Sequence, residues 1–261
     1  MSNKTYDPIV RVCIVTLLLV GLFVSSCKKS PTESSSENSG QQQATNIKTT
    51  VGEFQQKADE PKSGMAPIDI KLPKPKFIGT PQNIQVPNLE KPLGKPRPPF
   101  YAPVGTENVA LGKPVSSTDP EPIIGELPLV TDGDKEAVEG SYVELGPFLQ
   151  NVTIDLQGEY NIYAILFWHF HKQARVYFDV VVQVADDPNF TTNVTTLFNN
   201  DTDNSASLGT GNDMHYVETA EGKLIDAKGV KARYVRLSSQ GNNANELNHY
   251  TEVEVYGKPA K

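Results

Sequence analysis

The sequence predicts an all-β sandwich over its C-terminal half, on three observations. Apolar and polar residues alternate in several segments from residue 152 on, with the period of two that a strand with one buried face produces. Those segments are short and separated by stretches rich in Gly, Asn and Asp, which supply turns. No amphipathic helical pattern of similar strength accompanies them. Many short strands with turn signals and no helices point to a sandwich or barrel.

The elements follow in chain order. Val152, Ile154 and Leu156 alternate with Thr153 and Asp155. Residues 162–170 form a nearly continuous apolar strand. Phe178, Val180, Val182 and Val184 alternate with Asp179, Val181 and Gln183. Residues 194–198 and 214–218 are weaker candidates. Residues 232–257 read as strand, polar loop, strand: Val235 and Leu237 face one way on the first, Val253 and Val255 on the second. The loop between them holds Gly241, four asparagines and His249, and is too polar for a core. It is expected to rim a ligand site.

Upstream, the 261-residue chain reads as delivery and spacing. Lys4 and Arg11 precede an apolar run over residues 12–24 that is short for a membrane span and suits a secretory signal. The run ends in Val24-Ser25-Ser26-Cys27, which resembles a bacterial lipobox. The resemblance implies cleavage before Cys27, lipidation of its thiol with acyl chains such as palmitate, and a lipid-anchored protein of the bacterial cell envelope, at the outer membrane or cell surface. Cys13 and Cys27 are the only cysteines, so the expected domain has neither disulfide nor thiol ligand. Twelve of the 20 prolines fall between Pro31 and Pro103, which favours an extended spacer. Docking of residues 78–86 on the domain is a lesser alternative. The expected division is a signal peptide over residues 1–26, a lipidated N-terminus and disordered Pro-rich tether over 27–106, and the sandwich over 107–258. A net charge of −7 argues against a nucleic-acid partner.

Five segments, in order, resemble the discoidin (coagulation factor type C) family, which includes the family 32 carbohydrate-binding modules. They are Asn108-Val109-Ala110-Leu111-Gly112-Lys113-Pro114-Val115, Val130-Thr131-Asp132-Gly133-Asp134, Val152-Thr153-Ile154-Asp155-Leu156, Ala232-Arg233-Tyr234-Val235-Arg236-Leu237 and Glu252-Val253-Glu254-Val255-Tyr256-Gly257. The resemblance implies a galactose-binding-like jelly-roll sandwich. It departs from the family where a tryptophan often follows the Asp-Gly-Asp loop: Tyr142 or Phe148 stands there, and the one tryptophan, Trp168, lies in the central strand.

The resemblance also implies sites. A structural Ca²⁺ is expected on Asp132, Asp134, Ser141 and Glu252, with the carbonyl of Val130; paired carboxylates around Gly133 suit a hard cation, although an Asp-Gly turn without metal uses the same residues. Sugar-binding members combine histidine, arginine, asparagine and an aromatic at a loop edge, which points to His169, His171, Arg175, Asn243, Asn248 and Tyr250. Rings stack on sugar faces while forked donors and amides hold hydroxyls. The opposing reading makes Trp168 core and the histidines structural. A rival is a zinc site built from His169 and His171 with His249 or His215. No nucleophile elbow, P-loop or His-Glu-x-x-His occurs, and residues 209–213, though glycine-rich, lack a following helix. The expected function is carbohydrate binding without catalysis by an envelope-anchored lipoprotein. The alternatives are a module recruiting an envelope or extracellular protein and an enzyme with an unrecognised site.

Overall fold

Alternation along the sequence becomes pairing between two long, bent strands. The structure, a computed structural model, describes residues 63–81 and 83–261. The expected signal peptide, Cys27 and the first part of the expected tether lie outside the described residues. Among the described residues no helix is long and apolar enough to cross a membrane.

Eleven strands are present among these residues: β1 (Met65–Pro67), β2 (Tyr101–Pro103), β3 (Glu107–Asn108), β4 (Val115–Ser117), β5 (Val143–Leu145), β6 (Gln150–Trp168), β7 (Val181–Ala185), β8 (Thr195–Asn199), β9 (Lys223–Ser239), β10 (Asn248–Tyr250) and β11 (Glu252–Pro259), with one 3-10 turn at Leu127–Thr131. The main antiparallel sheet runs β3-β11-β6-β9-β7-β8, and β4 pairs with the first part of β6. A two-stranded ribbon, β5-β10, supplies Val143, Leu145 and Tyr250 to the core that the sheet's inner face also fills. The expected all-β sandwich is the fold observed. Residues expected as two strands, 152–156 and 162–170, fall on the single strand β6, which ends at Trp168. The weak candidate at 214–218 is no strand, and contributes one isolated bridge, His215 with Leu89.

The near-continuous apolar character of β6 has a structural cause. Val152, Ile154, Leu156 and Ile162 face the main core. A register shift between Ile162 and Ala164 then reverses the parity. Beyond it Ile165 and Phe167 face the main core, while Ala164, Leu166 and Trp168 face the opposite side with Tyr256. That half of β6 is buried on both faces, so both sets of side chains are apolar.

The second cover is the stretch expected to be tether, and this corrects the expected boundary at residue 107. Residues 63–103 strap the outer face of the sheet. β1 and β2 pair with each other, and Ile68, Ile70 and Phe100 pack on Ala164, Leu166, Trp168 and Tyr256. The Arg97 guanidinium donates to the carbonyls of Glu221 (2.8 Å) and Gly222 (3.0 Å), and Lys223 pairs with Glu90 at 2.9 Å. Within the stretch 78–86, Ile78 is 94% exposed while Ile84 and Val86 are partly buried. Gly222 sits at φ +64 under Trp168, and a Cβ there would come within 2.6 Å of the indole. The Trp168 Nε1–H donates to Ala220 O at 3.0 Å.

A fragment starting at residue 104 is therefore expected to melt below one starting at residue 63. Uncovering the outer face forfeits about 3 kcal/mol of partial burial of Ile68, Ile70 and Phe100. At 2–4 °C per kcal/mol for a domain of this size, the drop is about 6–12 °C. Equal midpoints in a calorimetric scan would show that the strap contributes nothing to stability.

Candidate functional site

Because β6 ends at Trp168, the strand expected over residues 162–170 stops before His169 and His171. His169 is instead wholly buried, stacked on Tyr177 (ring centroids 4.2 Å apart, 16° between planes), with Nδ1 2.6 Å from the buried Glu218. His171 is also buried, and its Nε2–H donates to the carbonyl of Lys135 at 2.7 Å. Burial holds its pKa below the ordinary imidazole value.

Asn248 and Tyr250 are likewise structural. Asn248 is fully buried; its Oδ1 accepts from Ser239 Oγ and Gly241 N–H, both at 2.8 Å, and its Nδ2 donates to the carbonyls of Gly146 and Phe148, both at 2.9 Å. With its side-chain hydrogen bonds used internally, it fastens two loops together. The Tyr250 hydroxyl lies in the core, 2.9 Å from Ser239 Oγ. Asn243 is exposed, and its Oδ1 accepts from the Val176 N–H at 2.8 Å. This bond ties the asparagine loop to the segment that carries Arg175. Of the six expected sugar ligands, His169, His171, Asn248 and Tyr250 are thus withdrawn from the surface, while Arg175 and Asn243 remain at it.

Arg175 has neighbours that the sequence reading missed. Its guanidinium carbon lies 4.7 Å from the centre of the Phe170 ring, and its Nη1 is 3.2–3.4 Å from the ring nitrogens of His249. Nη2 donates to Gln173 Oε1 at 3.3 Å. His249 Nε2 is 2.9 Å from Glu144 Oε2. Burial, with the positive charge of Arg175 second, pushes the His249 pKa down to about 3. At neutral pH its Nε2–H therefore donates to the carboxylate, and Nδ1 is left to accept from Arg175. The His249–Glu144 contact is a hydrogen bond rather than an ion pair. Burial raises the Glu144 pKa, and Arg175 opposes that shift. Tyr142 packs edge-on against Phe170 at 5.2 Å. Tyr142, Glu144, Phe170 and Arg175 are all partly exposed above buried His249. Two rings, a fork of donors and a carboxylate therefore share one face. Tyr142 immediately precedes the three-residue β5 and Glu144 is its middle residue, too short a run for alternation to mark it in the sequence.

The zinc alternative does not form. Among the described residues, the one trio of His, Cys, Asp or Glu whose ligand atoms all lie within 4.8 Å is Asp179, Asp201 and Asp203. That trio closes its own loop, with Asp179 accepting from Ser205 Oγ and Asp201 from the N–H groups of Ser205 and Ala206.

At the expected calcium site the carboxylates do not converge as a trio. Asp132 and Asp134 are exposed, and their Oδ1 atoms accept from the N–H groups of Asp134 (2.8 Å) and Glu136 (2.9 Å), the local turn use of aspartate. Ser141 turns inward to Val138, donating to its carbonyl and accepting from its N–H. Glu252 is different. It is fully buried, and its Oε2 accepts from the Gly133 N–H at 3.1 Å while its Oε1 has no partner. Burial raises its pKa to about 9. A buried carboxylate with an unpaired oxygen calls for a proton or a cation, so Glu252 and the loop it holds fit a bound ion. Next to it Lys135 pairs with Glu254 at 2.6 Å and lies 5.5 Å from the Trp168 ring centre.

No protein-family model and no curated protein sequence matches the chain. Among solved structures, it is similar to the CBM32 of AlyQ in complex with 4,5-unsaturated mannuronic acid, at 16% identity and TM-score 0.40 over 54% of this chain and 92% of the other. It is also similar to a chitosan-binding module of a chitosanase/glucanase from Paenibacillus sp. IK-5, at 20% identity and TM-score 0.42 over 58% and 99%. A third similar structure is CpGH89CBM32-4 from Clostridium perfringens in complex with GlcNAc-α-1,4-galactose, at 18% identity and TM-score 0.42 over 59% and 96%.

Proposed function

We propose that this protein binds carbohydrate without catalysis, through the face formed by Tyr142, Glu144, Phe170 and Arg175, as a lipid-anchored component of a bacterial cell envelope. The observation that carries the binding reading is the position of Arg175. Its guanidinium is held by Phe170 and His249, and the partly desolvated carboxylate of Glu144 meets the same imidazole at Nε2. A prearranged donor fork beside an acceptor loses little entropy on binding, and adjacent rings offer apolar faces to a pyranose. Glycans supply the matching partner, with hydroxyls that both donate and accept around an apolar ring face.

The first test is a glycan array probed with the full chain. Saturable binding is expected, and Arg175→Ala is expected to weaken it at least tenfold, the scale of losing a charge-assisted hydrogen bond. Silence on the array, with specific capture of an envelope protein, would overturn the carbohydrate reading in favour of a recruiting module.

The anchor rests on the lipobox-like Val24-Ser25-Ser26-Cys27. Cys27→Ser is expected to move the protein out of the membrane fraction or to stall its processing. Unchanged mass and fractionation would remove the lipoprotein reading.

Calcium is proposed at Glu252 with the Asp132–Asp134 loop, where it would neutralise a buried carboxylate and stabilise the fold. With chelator present, the raised Glu252 pKa has a defined sign. The folded state keeps the proton up to about pH 9, whereas the unfolded state releases it near 4.5. Stability should therefore fall as pH rises between those values. Calcium should restore it at pH 8, and Glu252→Gln should flatten the pH dependence and abolish the calcium effect. Identical melting midpoints with calcium and with chelator at pH 8 would exclude the ion.

A further inference from the structure

The loops fastened by Asn248 also shape a cleft of about 300 Å³ to which no role has yet been assigned. Phe148, Phe178, Gln240, Asn245 and Glu246 line it. That volume is at the lower end of the range of ligand clefts.

Phe148 is the telling residue. It is 78% exposed and stands at φ 68, in the left-handed region that few non-glycine residues occupy. A phenylalanine there gains neither full burial nor a relaxed backbone, so the surroundings must impose the conformation. They do: its carbonyl accepts from the buried Asn248 Nδ2 at 2.9 Å, as does that of Gly146. Opposite it, Phe178 is bound to the asparagine loop at both backbone atoms, its N–H to Gly241 O (3.1 Å) and its carbonyl from Gln240 N–H (2.9 Å). The loop is rigid as well. Asn242 Nδ2 donates to Asn245 Oδ1 (2.7 Å) and Leu247 O (2.9 Å), and Asn242 Oδ1 accepts from Ala244 N–H (2.9 Å). Among the described residues, the Gln240 amide, the Asn245 Nδ2 and the Glu246 carboxylate remain free for a ligand.

We infer that this cleft is a second subsite, holding another pyranose unit of the same glycan as the Arg175 face. The inference rests on the carbohydrate reading above. Both places draw on the same two segments, with Phe170 and Arg175 completing the first and Phe178 the second. Residues 142–148 carry Tyr142 and Glu144 to one and Phe148 to the other. Residues 240–249 carry His249 to one and Gln240, Asn245 and Glu246 to the other. The chemistry matches a sugar: an exposed ring on a fixed backbone for the apolar face, and the Gln240 amide, the Asn245 Nδ2 and the Glu246 carboxylate for hydroxyls. A protein with two such subsites binds a chain, not a lone terminal sugar.

Calorimetric titration of the full chain tests this. The probes are galactose, N-acetylglucosamine, glucosamine and mannuronate, each with its tetrasaccharide. For the sugar that binds, the tetrasaccharide is expected to bind about tenfold more tightly than the monosaccharide. Phe148→Ala should erase that gain and leave monosaccharide affinity unchanged, whereas Phe148→Trp should keep it. If Phe148→Ala leaves tetrasaccharide affinity intact while Arg175→Ala removes binding, the second subsite is overturned and the carbohydrate reading stands. If Phe148→Ala abolishes monosaccharide binding too, the cleft is the primary site and the division into two is wrong. If the unmodified protein binds none of the eight probes, the carbohydrate reading and the subsite fall together.

Discussion

The C-terminal half of β6 is apolar on both faces, and the rest of the structure answers to that constraint. One face is satisfied by the sandwich core, where Ile165 and Phe167 meet the side chains of the paired strands and ribbon. The other would leave Leu166 and Trp168 against water. Residues 63–103 remove that exposure, and the partners that hold them in place are backbone and charge: Arg97 on the Glu221 and Gly222 carbonyls, Lys223 on Glu90. The same outer face carries Glu252 and Glu254, which explains why their carboxylates sit in surroundings where a proton, an ammonium or a metal ion must compensate them.

The candidate binding face shows the complementary arrangement, with buried polar groups serving to position partly exposed ones. His249 stays neutral because it is buried beside a guanidinium, and a neutral imidazole can donate to Glu144 and accept from Arg175 at once. A protonated ring would repel Arg175. Asn248 does similar work in the loops, converting four hydrogen bonds into the fixed spacing of residues 146–148 and 239–241. Rigidity of this kind limits the ordering that a ligand must impose.

Much of the sandwich was legible in the sequence because a buried strand face leaves a period of two, and Val152, Val182, Val235 and Val253 all fall on it. The all-β sandwich expected over the C-terminal half is observed, and the five discoidin-like segments lie within it. The strap was not legible as such. Ile68, Ile70 and Phe100 follow no helical or strand period, and prolines among them suggest a spacer. The signal was present elsewhere, in the apolar run at 162–168, which requires two covers rather than one. Of the expected ligands, Arg175 and Asn243 lie at the surface. His169 and Asn248 do not, because a histidine or asparagine near a loop reads the same whether it faces solvent or fastens the interior. Phe148 stands out in sequence only as a replacement for the family's tryptophan, because nothing there marks a left-handed phenylalanine.

The pairing of β1 with β2 has a mechanical consequence. Met65 lies opposite Pro103, so the chain enters this hairpin at the end where β2 leaves it for the sandwich. Tension from the N-terminal side would load the three pairs of β1 and β2 one after another, as a zipper, not together in shear. The Arg97 clasp and the cover over Trp168 lie behind that zipper, while the long β6–β9 pairing lies behind both. Pulling would peel the strap away while the sandwich kept its shape, giving this domain a yield point well below its rupture point.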